Sequence, residues 1–437
     1  MIETYEDALA FIHGRPRFKK RPTLERMKLF LRLLGDPQKQ SRYVHITGTN
    51  GKGSTVAMMR DMLIQTGLNV GTFTSPFIAR FNERIAINGE AISDGNLVLL
   101  TRKIAPIVEQ LDKELPEGGP TEFEIDTAIM FCYFADKNLD VVLLEVGIGG
   151  LYDSTNVIVP EVSVITTVGW DHMKYLGDTL GEIANQKAGI IKPNIPIVVG
   201  NLPAPAKTVI EQVANGEQAP LYELGRDFSV SKNNPHGLRA KISYQGLKLR
   251  KFSATLGLAG DYQVDNAAVA LTATQILFKR LGIKISVADL KAGLAGTKWP
   301  GRMEKVMDEP LVFLDGAHNL PGIQSLVNTL RNNFSDKDIY VLVAILADKQ
   351  YELMLGELAS LPNIHLMVTN FSVQGVKNRQ SANLIEENEE LKTRYPIRKA
   401  PNWQSGFVEL TQNMSTDDVL VITGSLYFIS EIRKILK

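Results

Sequence analysis

The residues best suited to chemistry lie in segment 48–54, which reads Gly-Thr-Asn-Gly-Lys-Gly-Ser. An apolar stretch typical of a buried strand precedes it, and an apolar-periodic helix that should end at Gly67 follows it. Glycines let backbone N–H groups converge on an anion, and the helix N-terminus adds partial positive charge. The segment therefore predicts a phosphate-binding loop, in which Lys52 neutralises the outer phosphates and the Ser54 hydroxyl faces a metal ion.

The loop departs from the strict pattern G-x-x-x-x-G-K-[ST]. Gly53 separates Lys52 from Ser54, and Ile46 stands where the first glycine should be. An ordinary glycine-rich turn between a strand and a helix is the alternative. Phosphate binding is favoured because three glycines, a lysine and a serine crowd into seven positions.

Polar residues at the ends of later strands could complete a site around this loop. Glu145 ends an apolar strand, where a P-loop protein places its second metal-binding acid, although such an acid can also cap a turn. Asp171 and His172 follow the next strand in the same topological place, as metal ligands or as a structural pair. Lys187, taken by itself, is typical of a solvated helix lysine.

A second group of candidates lies after residue 300. Segment 315–319, Asp-Gly-Ala-His-Asn, ends an apolar strand, and Arg302 lies just past a Gly- and Pro-rich stretch. Arginine suits phosphate recognition because its fork matches two oxygens at once. We expect Arg302 and Asp315 to face the nucleotide across a cleft between domains, with a purely structural role as the alternative.

The elements that must position these residues alternate between strands and helices. The pattern favours an α/β fold class, with an N-terminal P-loop-type parallel-sheet ATPase domain and a C-terminal Rossmann-like doubly wound domain. Short alternating stretches at 238–244 and 247–252 add a small antiparallel β region to the first domain. We place the first domain at residues 1–296, a linker at 297–301 and the second domain at 302–437.

Several individual elements are also predicted. Thr23 should cap a helix at 23–34, and a further helix is expected at 3–13. Capping-box spacings at 121–124 and 179–182 should open two helices. Strands are expected at 43–47, 69–74, 140–145, 162–168, 195–199, 311–315, 340–344, 365–368 and 419–423.

Composition narrows the function classes. The chain has 437 residues, with 48 basic and 48 acidic side chains, which argues against a general nucleic-acid or membrane-surface binder. The single cysteine, Cys132, lies in an apolar stretch and should be buried. No apolar stretch approaches the ~20 residues of a membrane span, and the N-terminus does not resemble a signal peptide. We expect a cytoplasmic protein.

The ordered set of motifs resembles folylpolyglutamate synthases, a folate-specific branch of the Mur ligase superfamily of ATP-dependent amide-bond-forming enzymes. The match extends over essentially the whole chain, and a glycine after the loop lysine is this family's own version. The motifs are TGTNGKGS at 47–54, TSPF at 74–77, RFNER at 80–84, EVGIGG at 145–150, DSTN at 153–156, DH at 171–172, KAGI at 187–190, PGR at 300–302 and DGAHN at 315–319.

The resemblance implies a role for each matched residue. The nucleotide contacts would be Asn50, Gly51, Lys52, Gly53, Ser54, Asn266, Arg302 and Asp315. The ligands of two magnesium ions would be Ser54, Ser75, Glu145, His172 and a carbamylated Lys187. The substrate-binding residues would be Phe123 and Glu124, which fall in a loop that borders the pterin site, together with Asp153 and with His318 near the glutamate. The catalytic residues would be Lys52, Lys187 and His318.

The implied reaction adds L-glutamate to the γ-carboxylate of a reduced folate. The carboxylate first attacks the γ-phosphate of ATP to give an acyl phosphate, which the glutamate amine then attacks, leaving ADP and phosphate. The implied partners are these small molecules, with no nucleic acid and no membrane, and the implied state is a monomer. A monovalent cation is left open.

Leu151 departs from the pattern of bifunctional members, which often carry a basic residue after the Gly-Gly pair. We therefore lean towards a polyglutamylating enzyme without dihydrofolate synthase activity. Three rival interpretations stay open from the residues: a cell-wall precursor ligase of the Mur type, a P-loop small-molecule kinase, and a non-catalytic ATP-binding module. The first would need a further N-terminal domain, and the second would not need Arg302 and Asp315.

Overall fold

The structure is a computed structural model that describes residues 2–16, 23–371, 380–384 and 393–437. Its contacts divide the chain into two compact units. Unit 1 comprises Met1–Val230, Tyr244–Phe252 and Asp265–Gly296, and unit 2 comprises Ser231–Ser243, Ser253–Val264 and Thr297–Lys437. Two short stretches that precede Thr297 thus group with unit 2, and the proposed domain boundary at 297–301 stays a prediction.

Unit 1 is built on an eight-stranded sheet of order β4-β3-β2-β5-β1-β6-β7-β8. Its strands from β2 to β8 along this order are mutually parallel, while β3 and β4 form an antiparallel edge. The strands are β1 Tyr43–Thr47, β2 Val70–Phe73, β3 Ile85–Ile87, β4 Glu90–Ala91, β5 Val141–Glu145, β6 Val162–Ile165, β7 Ile197–Val199 and β8 Leu221–Glu223. Strands β1, β5 and β6 are buried throughout, which explains their continuous apolar sequences.

Helices cover this sheet and bury two apolar clusters, one around Phe30, Phe73 and Phe131 and one around Ile165 and Ile183. The helices are α1 Tyr5–His13, α2 Glu25–Leu33, α3 Lys52–Gln65, α4 Asp94–Glu114, α5 Glu122–Ala135, α6 Met173–Leu176, α7 Leu180–Ala188, α8 Ala204–Gly216, α9 Gln263–Leu281 and α10 Val287–Gly296. Short 3-10 turns occupy Pro37–Lys39 and Phe81–Arg84.

The antiparallel region expected near residue 240 is a three-stranded sheet of order β11-β10-β9. Its strands are β9 Phe228–Lys232, β10 Arg239–Gly246 and β11 Leu249–Ala259. Buried and exposed residues alternate strictly along β10, as expected for a strand with one covered face.

Unit 2 is a six-stranded sheet of order β12-β13-β17-β14-β15-β16, parallel except for the edge strand β12. The strands are β12 Glu304–Met307, β13 Leu311–Leu314, β14 Ile339–Val343, β15 Ile364–Thr369, β16 Arg398–Ala400 and β17 Val419–Thr423. The helices are α11 Leu320–Asn333, α12 Tyr351–Ala359, α13 Trp403–Asn413 and α14 Leu426–Leu436. The predicted α/β class is confirmed in both units.

Local signals predicted most elements, with two corrections. Both capping boxes, at Thr121 and Thr179, are present. Helix α2 is not capped by Thr23, because Leu24 occupies the N-cap and the Thr23 hydroxyl instead accepts a hydrogen bond from Glu25 N at 3.1 Å. The edge strands β12 and β16 were not predicted. No helix in the described ranges is long and apolar enough to cross a membrane.

Candidate functional site

The glycine-rich loop leads directly from β1 into α3, which begins at Lys52. The Lys52 ammonium folds back over the loop and donates to the carbonyl oxygens of Gly48 at 2.9 Å and Thr49 at 3.4 Å. Its charge thus lies at the mouth of the loop, beside the N–H groups of the first turn of α3. This combination of a cation, a helix N-terminus and a glycine-rich turn is typical of an anion-binding site.

Two glycines of the loop are required by close approach. A Cβ atom on Gly48 would lie 1.9 Å from the Thr166 hydroxyl oxygen, and one on Gly51 would lie 2.3 Å from the Asn266 amide oxygen. Gly51 also has a φ of 86°, which is in the left-handed region. Asn266 on α9 therefore lies against the loop, at the place where the sequence predicts a nucleotide contact.

Threonines at the end of β6 hold the loop from the other side. The hydroxyls of Thr166 and Thr167 donate to the carbonyl oxygen of Asn50 at 2.5 and 3.0 Å, and Thr167 accepts from Asn50 N at 2.9 Å. Thr49 closes a reciprocal pair with Gly169. These threonines were not predicted from the sequence, in which only their position after a strand pointed to them.

Glu145 and Ser54 lie near the loop, on the side of the sheet where the parallel strands have their C-terminal ends. Glu145 is the last residue of β5 and is in register with Ile46 of the neighbouring β1, so it lies next to the strand end from which the loop starts. Both side chains are buried, with 3% of Glu145 and 2% of Ser54 exposed. A carboxylate and a hydroxyl are oxygen donors of the kind that Mg²⁺ takes together with nucleotide phosphates.

Asp171 and His172 lie between β6 and α6. His172 is the N-cap of α6 and has a φ of 52°, an uncommon conformation for a residue with a side chain. Asp171 accepts from the His172 backbone N–H at 2.9 Å, and the ring Nε2 lies 3.9 Å from its other oxygen. In the part of the chain that the structure describes, no three His, Cys, Asp or Glu side chains form a metal-holding group by themselves.

Lys187 is not the solvated helix lysine that its sequence context alone suggests. It lies in the last turn of α7 and only 2% of it is exposed. Burial and, to a smaller extent, the positive charge of Lys52 lower the pKa of its amine to about 7, and the negative charge of Asp171 acts in the opposite direction. The structure therefore brings Lys52, Asp171 and Lys187 together electrostatically, and the Lys187 amine is largely neutral above pH 7.

Asp153 shapes the loop that follows β5. Its carboxylate accepts from the backbone N–H groups of Ile148 and Thr155, each at 3.0 Å, and from the Thr155 hydroxyl at 2.5 Å. That hydroxyl in turn accepts from the Nε2 of His45 at 2.9 Å, and burial keeps His45 neutral by lowering its pKa to about 3. Burial of Asp153 raises the pKa of its carboxyl. Asp153 thus holds the backbone of this loop in place, and its contact with substrate stays a prediction.

Phe123 and Glu124 lie in the first turn of α5, so their expected placement in a loop is wrong. Phe123 packs against Gly147, where an added Cβ would lie 2.7 Å from its ring. Both oxygens of Glu124 accept from Arg26 Nε, at 3.0 and 2.9 Å, and Glu124 also closes the capping box with Thr121. A carboxylate engaged in this way stabilises the helix.

Ser75 begins an irregular segment that Glu83 organises. The Glu83 carboxylate accepts from the backbone N–H groups of Ile78, Ala79 and Arg80, at distances from 2.9 to 3.2 Å. The segment follows β2, which lies next to β5 in the sheet. Ser75 and Glu145 therefore lie on the same side of the sheet, at the C-terminal ends of two adjacent parallel strands.

Unit 2 carries its own cluster of predicted residues around Asp315, which is 2% exposed. The Oδ2 atom of Asp315 accepts from Tyr262 OH at 2.8 Å and Met303 N at 2.9 Å, and Oδ1 accepts from Ala317 N at 2.9 Å. Burial raises the pKa of the Asp315 carboxyl, and the Arg302 charge acts against that rise.

His318 follows Asp315 by three residues and is partly buried. Its Nδ1 lies 2.8 Å from the carbonyl oxygen of Gly316. A carbonyl oxygen can only accept, so Nδ1 carries the proton, and Nε2 is the basic nitrogen of the neutral ring. This tautomer suits a hydrogen-bond acceptor for an amine.

Comparisons with known proteins cover both units. The Mur ligase middle domain matches residues 46–274, and the dihydrofolate synthetase C-terminal domain matches residues 303–435. The chain is 40% identical to a dihydrofolate synthase/folylpolyglutamate synthase of Bacillus subtilis, over 100% of both sequences. It is 39% identical to a folylpolyglutamate synthase of Lacticaseibacillus casei, over 99% of this chain and 98% of that one.

Solved structures resemble the chain over nearly its whole length. A folylpolyglutamate synthase (FPGS) complex with AMPPCP and folate superposes with a TM-score of 0.87 at 38% identity, covering 99% of this chain and 100% of the other. A Mycobacterium tuberculosis folylpolyglutamate synthase complexed with ADP and AMPPCP gives a TM-score of 0.89 at 29% identity, covering 99% and 98%.

Proposed function

The chain belongs to the folylpolyglutamate synthase/dihydrofolate synthase family, and from this premise we propose that it adds L-glutamate to the γ-carboxylate of tetrahydrofolate at the expense of ATP. The observation that carries the proposal is the loop of residues 48–54, with Lys52 folded over a helix N-terminus. A carboxylate is a poor electrophile, so it must be activated by phosphorylation before an amine can displace the phosphate.

Lys52 and the N–H groups of the first turn of α3 would bind the β- and γ-phosphates of ATP. Their positive charges offset the negative charge that collects when the folate carboxylate approaches the γ-phosphate. The hydrogen bonds from Thr166 and Thr167 to the Asn50 carbonyl oxygen hold the loop in place before the nucleotide arrives. Little reorganisation is therefore needed during the reaction.

Ser54, Ser75, Glu145 and His172 are the residues that we propose to hold magnesium. Their oxygen-rich donor set and the buried carboxylate at the loop fit this ion. Bound there, magnesium would polarise the phosphate oxygens and supply positive charge. We propose two ions, the second held through Lys187.

Lys187 would provide that contact as a carbamate. A neutral amine attacks the carbon of CO₂, a C–N bond forms as one C=O π bond opens onto oxygen, and one amine proton leaves to solvent, so the neutral amine becomes an anion. The low pKa of Lys187 supports this proposal, because only the neutral amine is nucleophilic. Asp171 would then hold the backbone of His172 in place, because its carboxylate accepts a hydrogen bond from the His172 backbone N–H.

The second unit would bind nucleotide and glutamate. We propose that Arg302 and Asp315 contact the nucleotide, and that the basic Nε2 of His318 accepts a proton or hydrogen bond from the glutamate amine. Phe123 would border the pterin, and Asp153 would shape the loop beside it. We propose a cytoplasmic monomer, which sedimentation and fractionation would test.

The deciding experiment measures phosphate release from ATP with magnesium. Tetrahydrofolate, dihydropteroate and no pterin are compared, each with and without L-glutamate, and products are weighed by mass spectrometry. Release that needs both tetrahydrofolate and glutamate, with a product one glutamate heavier, is expected. Turnover on dihydropteroate would show dihydrofolate synthase activity as well, and would contradict the expectation from Leu151 that this activity is missing. Release without an amine would indicate a kinase and overturn the proposal.

A further inference from the structure

A partly buried tyrosine of unit 2, Tyr262, makes a hydrogen bond that the proposed reaction does not use. The Tyr262 hydroxyl donates to Asp315 Oδ2 at 2.8 Å, and burial together with the Asp315 charge raises the pKa of Tyr262 well above its ordinary value. Tyr262 is therefore neutral at all working pH values and acts only as a donor to the carboxylate. This bond joins residues 53 positions apart in the sequence.

The backbone around Tyr262 is fixed by several contacts within unit 2. The preceding Asp261 forms an ion pair with Lys232 at 2.6 Å and takes a hydrogen bond from Asn332 at 2.8 Å. Asp261 N also donates to the Thr329 hydroxyl at 3.1 Å on α11. Residue 262 therefore starts from a rigidly held backbone.

Gly260 makes room for the tyrosine ring. Its φ is 107°, and a Cβ atom there would lie 2.9 Å from the Tyr262 ring. The ring packs against the apolar core of unit 2. The turn at 260–262 thus holds one aromatic side chain in one orientation, with its hydroxyl on Asp315.

Arg302 lies beside Gly316, the residue that follows Asp315. Its Nη1 donates to the Gly301 carbonyl oxygen at 3.1 Å, and an added Cβ on Gly316 would lie 2.2 Å from the same nitrogen. The guanidinium is thus seated against the backbone of segment 315–316 and acts electrostatically on Asp315. Its remaining N–H groups are suited to oxygens of a nucleotide.

We propose that Tyr262 is a positioning residue for nucleotide binding, because its hydroxyl fixes the Asp315 carboxylate. The inference rests on the proposed contact of Arg302 and Asp315 with ATP. It adds a residue that touches neither ATP nor the reacting atoms and acts through its contact with Asp315.

The arrangement also predicts how ATP binding depends on pH. Among the described residues, Arg302 and Tyr262 are the side chains with titratable groups that face Asp315, together with the N–H groups of Met303 and Ala317. Burial raises the Asp315 pKa, whereas the Tyr262 hydrogen bond lowers it. Removal of the hydroxyl should therefore raise this pKa further, and ATP binding should be lost at a higher pH as the solution is acidified.

The test is Tyr262→Phe, with Tyr244→Phe as its matched control. Tyr244 is buried, and its hydroxyl makes hydrogen bonds with Thr272 and Gln275 at 2.8 and 2.9 Å, away from the predicted site residues. We expect Tyr262→Phe to raise the KM for ATP by about fivefold to tenfold. The KM values for folate and glutamate should stay within about twofold. The acid limb of the ATP profile should move to higher pH, and Tyr244→Phe should change none of these.

A double variant separates positioning from a loss of stability. In an Asp315→Ala background the Tyr262 hydroxyl has no side-chain oxygen to fix, so Tyr262→Phe should have no further effect on the affinity for an ATP analogue measured on folded protein. Additive effects of the two substitutions would overturn the inference, as would a Tyr262→Phe enzyme that behaves like Tyr244→Phe. Arg302→Ala is the separate test of the underlying proposal. An unchanged KM for ATP there would refute the nucleotide contact itself, whereas a raised KM would leave the role of Tyr262 to the other variants.

Discussion

Replacing Lys187 with methionine should stabilise the protein and abolish its activity at once. The amine of Lys187 is buried, and its pKa falls from 10.5 to about 7. Below pH 7 the folded protein therefore holds a buried cation that the unfolded chain would expose to water. Methionine fills a similar volume without a charge, so the substitution removes the cost of burying that cation.

The magnitude follows from the two pKa values. Each unit of difference corresponds to about 1.4 kcal/mol, so the fall from 10.5 to about 7 costs about 5 kcal/mol when the amine is fully protonated. Between these pKa values the unfolded chain binds the proton and the folded chain does not, so wild-type stability rises with pH. The cost is about 5 kcal/mol at pH 6 and about 2 kcal/mol at pH 9. The advantage of Lys187→Met should therefore shrink by about 3 kcal/mol over this range.

Urea unfolding of both proteins at pH 6 and pH 9, without bicarbonate, measures this difference. Lys174→Met is the control, because Lys174 is exposed on the neighbouring short helix and should change stability little at either pH. The reasoning is refuted if Lys187→Met is no more stable than wild type at pH 6. A gain that is the same at both pH values would refute it equally.

Bicarbonate tests the second half of the same prediction. Carbamylation converts the neutral amine into an anion, and a ¹³C carbamate signal from labelled bicarbonate should be present in wild type and missing in Lys187→Met. Phosphate release should be lost in the variant at every magnesium concentration, since added metal cannot restore the missing ligand. Activity retained by Lys187→Met would remove Lys187 from the site.

Three further substitutions have expected outcomes. Gly51→Ala should weaken binding of an ATP analogue at least about tenfold, because its Cβ would meet the Asn266 amide at 2.3 Å in a left-handed backbone; unchanged affinity would refute the loop geometry. Thr166→Val removes the 2.5 Å hydrogen bond to the Asn50 carbonyl oxygen and should raise the KM for ATP about fivefold to tenfold. An unchanged KM would mean that this hydrogen bond does not contribute to ATP binding. Asp126→Asn should stabilise the protein by up to about 4 kcal/mol above pH 7 and little near pH 4, measured by urea unfolding. Burial raises the Asp126 pKa from 3.8 to about 7, and its two oxygens have no hydrogen-bond partner in the described residues, so a gain that is larger at pH 4 would contradict the assignment.

The sequence was most informative where structure is decided locally. Apolar stretches predicted the buried strands β1, β5 and β6, and capping-box spacing predicted the starts of α5 and α7. The phosphate loop is equally local, because a strand, a glycine-rich turn and a helix lie within about 25 consecutive residues. The edge strands β12 and β16 were missed because edge pairing depends on neighbours that are distant in the chain.

Contacts between distant residues were beyond the reach of the sequence. The Thr166 hydroxyl reaches the loop carbonyl over 116 residues, and Tyr262 reaches Asp315 over 53. Neither spacing carries a pattern, because the pairs meet only after the sheet has formed. Glu124 illustrates the opposite case, since its capping box is local and visible, yet Arg26, its ion-pair partner, lies 98 residues away.

The burial of charged side chains at this site could not be predicted from sequence patterns. A lysine on a helix or an aspartate after a strand is assigned to solvent by default, because exposed charges cost little. The structure instead buries Lys187 and Asp315, and burial perturbs the pKa of each. Apolar residues of similar volume would avoid that cost, so stability alone does not explain these charges. The same burial makes the Lys187 amine nucleophilic near neutral pH and strengthens the pull of Asp315 on Arg302, so the destabilising feature and the proposed function have one physical cause.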